Sequence, residues 1–169
     1  KNTAASIAYG SFTIYKKNSK AKILVCPSDH LIPNNAEFSN VCEEGFKYLK
    51  KTDHILTIGI KPNTAHTGYG YIKTKPNKNQ IISVQEFKEK PDKKTAEIFL
   101  KSGSYLWNSG IFIFSVKNIL QEYKKNQKEI YTAFYQLINE KIDIKECFLK
   151  IKNISFDYAI LEKTNKISV

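Results

Sequence analysis

A single carboxylate after a predicted strand is the first candidate for chemistry in this sequence. Asp29 follows the apolar stretch Lys22–Cys26, which predicts a short buried strand, and Pro27 ends the hydrogen bonding of that strand. In open α/β sheets, ligands sit beyond the carboxyl ends of the strands. Mg²⁺ suits that position because it binds through one or two carboxylates plus substrate phosphates. Asp29 is therefore a candidate metal ligand, although an Asp in such a turn is more often a helix cap or a turn former.

An adjacent acid and base form the second candidate. Glu89 and Lys90 end another predicted strand, where the carboxylate can hold a polyol and the ammonium a phosphate. Pro91 favours an extended backbone at Lys90 and fixes where the strand stops. Successive strand residues face opposite ways, so both side chains reach one ligand only if the strand breaks here. The alternative is a solvated pair of charges.

Two further segments offer contacts for a ligand. Thr67–Tyr71 places Gly68 and Gly70 around an aromatic residue, so the backbone can approach a ligand closely; a bulge or tight turn explains the glycines equally well. The glycine spacing is not that of a phosphate-binding loop. Asn108 lies between the one Trp and an apolar stretch, where it can donate to and accept from a sugar hydroxyl, or close a turn.

The elements that must position these residues alternate between helical and strand patterns. A helix over Lys1–Asn18, the strand Lys22–Cys26, a helix that Asn34–Asn35 can cap and the strand His54–Ile60 follow one another. This order predicts parallel strands joined by crossover helices, with the two strands as neighbours in a mostly parallel sheet.

The middle of the chain predicts an antiparallel pair of strands inserted into this pattern. Tyr69–Lys73 and Gln80–Phe87 flank the polar turn Pro76–Asn79. The remaining predicted elements are a helix over Thr95–Lys101 that Gly103 ends, a strand over Ser109–Phe114 and short helices from Val116 onward.

The composition favours one domain over residues 1–169 and disfavours several classes of function. The net charge is +11 and all 27 basic residues are lysine, whereas proteins that read nucleic acid rely on arginine. A basic surface can attract phosphorylated metabolites or be merely solvated. No apolar run approaches the roughly 20 residues of a membrane span and no signal segment is recognisable, so we predict a cytoplasmic protein that binds neither nucleic acid nor membrane.

The cysteines do not predict a disulfide framework or a metal site. Cys26, Cys42 and Cys147 are widely separated, and two of them lie in apolar patterns. We expect small buried hydrophobic residues in a reducing compartment.

The order and spacing of five motifs resemble a known enzyme family. The motifs are Pro-Ser-Asp-His at 27–30, Thr-Gly-Tyr-Gly-Tyr-Ile at 67–72, Phe-x-Glu-Lys-Pro-Asp at 87–92, Tyr-Leu-Trp-Asn-Ser-Gly at 105–110, and Asp157–Thr164. Together they resemble the mannose-1-phosphate guanylyltransferases of the bacterial type, and Lys1–Ala4 is similar to a segment that this family places near the nucleotide base. The resemblance implies an α/β, Rossmann-like nucleotidyltransferase fold, with a mixed, mostly parallel sheet flanked by helices.

The resemblance also implies a reaction and a role for each candidate residue. GMP would pass from GTP to mannose 1-phosphate with release of pyrophosphate, and Mg²⁺ would be the cofactor. Gly70, Glu89 and Asn108 would contact the sugar, and Lys90 its phosphate. The nucleotide would lie near Asn2, Thr3, Ser28 and Asp29, with Asp29 as metal ligand and Asp29 and Lys90 as the catalytic pair. A homo-oligomer is compatible with this interpretation.

Two departures from the family pattern define a further expectation. The family's glycine-rich nucleotide loop and its second metal-binding Asp have no counterpart between Lys1 and Val169. We therefore expect the central part of an enzyme domain, incomplete at both ends and inactive by itself. Two alternatives stay open: a glucose-1-phosphate nucleotidyltransferase of the same fold, and a non-catalytic lysine-rich module that binds polyanions or a protein.

Overall fold

A computed structural model describes residues 1–74 and 80–169 of the chain, so the predicted turn Pro76–Asn79 lies outside the described residues. The helices are α1 (Thr3–Lys17), α2 (Asn35–Tyr48), α3 (Lys93–Ser102), α4 (Val116–Asn126), α5 (Lys128–Ile138), α6 (Ile144–Lys150) and a short π-helix (Asp157–Leu161). The strands are β1 (Lys22–Val25), β2 (Ile55–Ile60), β3 (Tyr71–Thr74), β4 (Val84–Lys88), β5 (Tyr105–Ser115) and β6 (Ile167–Ser168).

Local capping chemistry sets the helix boundaries. The Asn2 side chain accepts a hydrogen bond from the first backbone N–H of α1, and the Asn34 side chain accepts from the N–H of Glu37 in α2. Gly103 ends α3 with a φ of +66°, a conformation that costs glycine little. The predicted caps of α1 and α2 and the predicted end of α3 are therefore confirmed.

The strand β5 is the centre of the sheet. Along the sheet the order is β4-β3-β5-β2-β6, and β1 also pairs with β5. Phe112 of β5 is registered with Val25 of β1 on one side and with Thr57 of β2 on the other. Trp107 of β5 is likewise registered with Tyr71 of β3. One long strand thus carries β1 and β3 along one edge and β2 along the other.

The predicted adjacency of β1 and β2 is wrong. Both strands pair with β5 and run antiparallel to it, so they are parallel to each other without sharing a ladder. Among the described residues, β2–β6 is the parallel ladder, and the other ladders are antiparallel. The mixed α/β class is confirmed, but the sheet is not mostly parallel, because a strand from much later in the chain inserts between the first two.

The middle pair of strands forms as predicted, with shifted ends. β3 and β4 are antiparallel, and Ile72 is registered with Phe87. β3 begins at Tyr71 instead of Tyr69, and β4 covers Val84–Lys88 instead of Gln80–Phe87.

Helices cover both faces of the sheet. Phe112 and Phe114 belong to the large core that α1, α4 and α5 complete, whereas Ile113 packs with Cys42 of α2. Alternate residues of a strand point to opposite faces, so these two cores lie on opposite sides of β5. Gly45 lets α2 lie close to the sheet, because a Cβ there would be 2.6 Å from Ile113 Cδ1.

Two of the three cysteines are buried. Cys42 and Cys147 are buried as predicted, but Cys26 is exposed because β1 ends one residue before it. None of the described helices combines the length and apolar character that crossing a membrane requires.

Candidate functional site

A cavity of about 610 Å³ opens where several predicted motifs converge. Its walls come from the turn after β1, the end of β2, the segment before β3, the residue after β4, the middle of β5 and the π-helix. Residues on these walls include Pro27, Tyr69, Gly70, Glu89, Asn108 and Asp157. A cavity of this size is typical of small-molecule sites, which a few placed polar groups make specific.

The amide of Asn108 is held in one orientation. Its Oδ1 accepts hydrogen bonds from Thr57 Oγ1 at 2.8 Å and from the Gly110 N–H at 3.2 Å. Its Nδ2 donates to Asp157 Oδ1 at 2.9 Å. Gly110, with a positive φ of +74°, lies where the register between β5 and β2 shifts. Because a side-chain amide has two N–H donors, one remains for a ligand in the cavity.

Glu89 presents a buried carboxylate to the same cavity. Its side chain is only 6% exposed, and Glu89 Oε1 accepts a hydrogen bond from Lys90 Nζ at 2.6 Å. This burial contradicts the alternative of a fully solvated pair of charges. The hydrogen bond to Glu89, and then its negative charge, raise the pKa of Lys90. The pair therefore places a fixed carboxylate beside a permanent cation.

The strand β4 ends just before Glu89 and Lys90, as contact of both side chains with one ligand requires. β4 ends at Lys88, so Glu89 and Lys90 both lie beyond the last strand residue. Lys90 has a φ of +42°, which contradicts the extended conformation that Pro91 predicts. A positive φ is costly for a residue with a side chain, and such residues cluster at functional sites. Here it lets consecutive side chains meet instead of facing opposite ways.

Gly70 makes room for the Glu89 carboxylate. A Cβ at Gly70 would lie 2.6 Å from Glu89 Oε2 and 3.1 Å from the Phe87 ring. The Gly70 carbonyl also accepts a hydrogen bond from the Asn108 N–H at 2.8 Å. Close approach to a neighbour thus explains this glycine, and its contact with a sugar stays a prediction.

Asp157 is a site residue to which sequence reasoning gave no role. Burial, followed by the nearby charge of Glu89, raises its pKa from the ordinary 3.8 to about 6. It begins a π-helix, a rare conformation that is frequent at functional sites. The signal in the sequence was an acid at the start of the otherwise apolar motif Asp157–Leu161, but nothing local indicated that it would meet Asn108.

The predicted metal ligand lies beside the cavity, on its rim. Ser28 and Asp29 form an exposed turn, and their neighbours Pro27 and His30 line the cavity. Asp29 does not cap α2, because Asn34 does. No group of three or more His, Cys, Asp or Glu side chains suited to a metal occurs in the described part of the chain. Asp29 would thus be a single carboxylate ligand, a donor set that fits Mg²⁺ only together with substrate phosphates.

The residues predicted near the nucleotide have structural contacts. Asn2 caps α1, and Thr3 Oγ1 accepts a hydrogen bond from the Phe156 N–H at 2.9 Å. This contact ties the start of α1 to the residue just before Asp157. Neither Asn2 nor Thr3 is among the residues lining the cavity, and their role toward a nucleotide stays a prediction.

An aromatic cluster at the cavity is a second feature that the sequence did not indicate. The rings of His66 and Tyr69 are stacked with centroids 4.3 Å apart, and Tyr69 meets Trp107 edge-on at 5.1 Å. Tyr69 is 44% exposed and lines the cavity with Trp107. Its ring provides an apolar face beside the polar groups, which suits a ligand with both hydroxyls and C–H surfaces.

The chain belongs to the nucleotidyl transferase family, whose model matches residues 1–153. Among curated relatives, it is 37% identical over 174 residues to the mannose-1-phosphate guanylyltransferase RfbM of Salmonella typhimurium. It is 34% identical over 175 residues to a mannose-1-phosphate guanylyltransferase of Klebsiella pneumoniae, and 35% identical over 172 residues to the xanthan biosynthesis protein XanB of Xanthomonas campestris. The alignments include 97% of this chain but only 36–37% of the length of these relatives.

Solved structures agree with the fold. The chain superposes on the crystal structure of mannose-1-phosphate geranyltransferase from Thermus thermophilus with a TM-score of 0.91 and 22% identity, over 100% of this chain and 49% of that one. It superposes on mannose-6-phosphate isomerase from Helicobacter pylori with a TM-score of 0.87 and 26% identity, over 99% of this chain and 67% of that one.

Proposed function

We propose that this chain serves the transfer of GMP from GTP to mannose 1-phosphate, with release of pyrophosphate. Membership of the nucleotidyl transferase family and the names of its relatives support this reaction. The observation that carries the proposal is the convergence of Glu89, Lys90 and Asn108 on one cavity or its edge. These groups can recognise a sugar by its hydroxyls and its phosphate by charge.

The proposed roles follow from the chemistry of each group. Glu89 accepts hydrogen bonds from sugar hydroxyls, and the spare N–H of Asn108 donates to one. Lys90 contacts the sugar phosphate and also donates a hydrogen bond to the Glu89 carboxylate. The phosphate oxygen of the sugar then attacks the α-phosphorus of GTP in line, so no covalent nucleophile is required. Such transfers depend on positioning and on stabilising charge.

Asp29 is the residue that would hold Mg²⁺. Divalent ions are general cofactors of nucleotidyl transferases, and a bound Mg²⁺ neutralises charge on the triphosphate. The exposed position of Asp29 on the rim of the cavity leaves room for the other ligands to come from phosphates. GTP and Mg²⁺ are predictions of this proposal; a cytoplasmic location stays a prediction from the sequence, with which a homo-oligomer is compatible.

Sugar binding to the purified chain tests the proposal. Calorimetric titration should give a higher affinity for mannose 1-phosphate than for glucose 1-phosphate. A preference for glucose 1-phosphate would favour the alternative of a glucose-1-phosphate nucleotidyltransferase. Equal, weak and strongly salt-dependent binding of all anions would instead indicate a lysine-rich polyanion-binding module.

Replacing Lys90 should separate the phosphate from the sugar. We expect Lys90→Ala to weaken mannose 1-phosphate about tenfold or more, since a hydrogen bond to a charged group is lost, and to change mannose binding little. Titration calorimetry with both ligands measures this difference. Lys88→Ala, which removes the same charge from an exposed position two residues earlier, should have little effect. Equal losses for both ligands would mean that Lys90 does not contact the phosphate.

Replacing Asp29 should remove the metal without unfolding the chain. Mn²⁺ can stand in for Mg²⁺ as a paramagnetic probe, and with GTP present it should broaden the NMR signals of the turn around Asp29. We expect Asp29→Asn to abolish this broadening and to change stability by less than about 0.5 kcal/mol, as is usual on a surface. The matched variant Glu43→Gln, an exposed carboxylate of α2, should leave the broadening intact. Unchanged broadening in Asp29→Asn would assign Asp29 to the turn alone.

A further inference from the structure

A second cavity, of about 650 Å³, lies among α1, α4 and α5 and shares no lining residue with the first. Its floor is apolar, because Phe12 is 5% exposed and Leu120 is 6% exposed. Neither the family motifs nor the proposed transfer reaction uses any residue of this cavity. Its volume is within the range of small-molecule sites, about 300–1,000 Å³.

Aromatic rings form one wall of this helix-side cavity. Tyr131 and Tyr135 of α5 are nearly parallel, with an interplanar angle of 10° and centroids 6.2 Å apart. Tyr135 is 49% exposed, and Tyr15 on the facing helix α1 is 42% exposed. Exposed, flat aromatic faces can stack on a planar ring such as a nucleobase.

The rim of the cavity is positively charged. Lys16, Lys117 and Lys124 line it, opposed among the lining residues only by Glu140. The pair Lys16–Glu140, with Nζ and Oε1 3.6 Å apart, is exposed on both sides, so it is weak. Lys124 Nζ lies 6.0 Å from the centre of the Tyr131 ring, at the junction of the charged rim and the aromatic wall. This arrangement favours an anion over a cation or a neutral ligand.

We propose that the helix-side cavity binds a nucleoside phosphate. The tyrosine faces take the base, and Lys117 and Lys124, both on α4, take the phosphate as point charges. This site is separate from the one proposed for transfer, and its existence does not depend on the identity of the transferred sugar.

The test compares GMP, guanosine and inorganic phosphate as probes of the purified chain. Amide NMR shifts on titration show which cavity each probe enters, and the same titration gives its affinity. We expect GMP to shift signals of α4 and α5 and to bind more tightly than guanosine or inorganic phosphate. The double variant Lys117→Gln/Lys124→Gln should weaken GMP about tenfold or more, from the loss of two charge contacts. Tyr135→Ala should weaken GMP but not phosphate.

Two controls make the outcomes distinct. Lys51→Gln/Lys145→Gln removes the same charge from exposed positions outside this cavity, and should weaken GMP less than about twofold at 0.15 M salt because distant charges are screened. Equal weakening by both double variants would reduce the effect to general surface charge and overturn the proposal. Shifts confined to Asn108 and its neighbours, or no saturable binding of GMP, would also overturn it. Failure here would leave the transfer reaction untouched, since its test uses mannose 1-phosphate and the other cavity.

Discussion

Asp157→Asn should make the protein more stable than the natural chain at pH 7.5, and should give little or no gain at pH 4. The carboxyl of Asp157 is buried beside Glu89, and both effects raise its pKa to about 6. Ionising it at neutral pH therefore costs free energy that an amide does not incur. The substituted amide still offers an oxygen to Asn108 Nδ2, so the contact within the site can persist.

The direction of this pH dependence follows from proton binding by the folded and unfolded states. Between pH 4 and 6 the folded state holds the Asp157 proton more often than the unfolded state, so the stability of the natural protein falls as pH rises through this window. One pKa unit of difference between the folded and unfolded states corresponds to about 1.4 kcal/mol. The shift of the Asp157 pKa from 3.8 to about 6 therefore limits the stability gained by Asp157→Asn to about 3 kcal/mol. The gain is complete above the folded pKa and vanishes below the unfolded one.

Urea unfolding of both proteins from pH 4 to 8 measures the effect. The matched variant Glu86→Gln removes a carboxylate that is half-exposed on β4, and should show no comparable rise in relative stability. A difference between Asp157→Asn and the natural chain that stays constant with pH would contradict the burial argument. An Asp157→Asn protein that becomes less stable than the natural chain as pH rises would contradict the predicted direction.

Gly70→Ala should lower both the stability of the protein and the affinity of the candidate site for its ligand. The new Cβ would lie 2.6 Å from Glu89 Oε2, and the buried carboxylate has little room to move. Overpacking of this kind costs about 1–3 kcal/mol of stability. Since Gly70 also holds the Asn108 backbone, we expect the affinity for mannose 1-phosphate to fall about tenfold or more, as the loss of one charged hydrogen bond would cause.

Thermal unfolding and titration with mannose 1-phosphate check this result together. Gly10→Ala is the matched control, because a Cβ at Gly10, within α1, meets nothing within 4 Å. Alanine is the better helix former, so Gly10→Ala should raise stability by about 0.8–1 kcal/mol and leave affinity unchanged. Normal sugar-phosphate binding by a stable Gly70→Ala protein would show that the Gly70–Glu89 approach has no functional role.

Local chemistry made much of the helical structure predictable. Asn2 and Asn34 cap helices, and Gly103 ends one, because each interaction lies within a few residues of the position it determines. The sequence also offered a close backbone approach at Gly70, and the structure shows such an approach to Glu89; contact with a ligand stays a prediction. Motif order added the family, which the match over residues 1–153 supports.

The order of the strands in the sheet could not be predicted from local chemistry. Strand order in a sheet depends on contacts between distant residues, and β5 inserts between β1 and β2 although it follows β1 by about 80 residues. Periodicity indicates that a strand is buried, but it does not identify the strand's neighbours. The crossover rule for parallel strands therefore gave the right class and the wrong adjacency.

The sequence by itself determined which residues this protein could use: Asp29, Gly70, Glu89, Lys90 and Asn108, each marked by its neighbours along the chain. Only the tertiary structure decided which side chains lie close together. The positive φ of Lys90 turns its side chain to Glu89, and the π-helix brings Asp157 to Asn108 across 49 residues of sequence. Burial then sets the pKa of Asp157. These are long-range effects of packing and desolvation, and no local pattern of residue types encodes them.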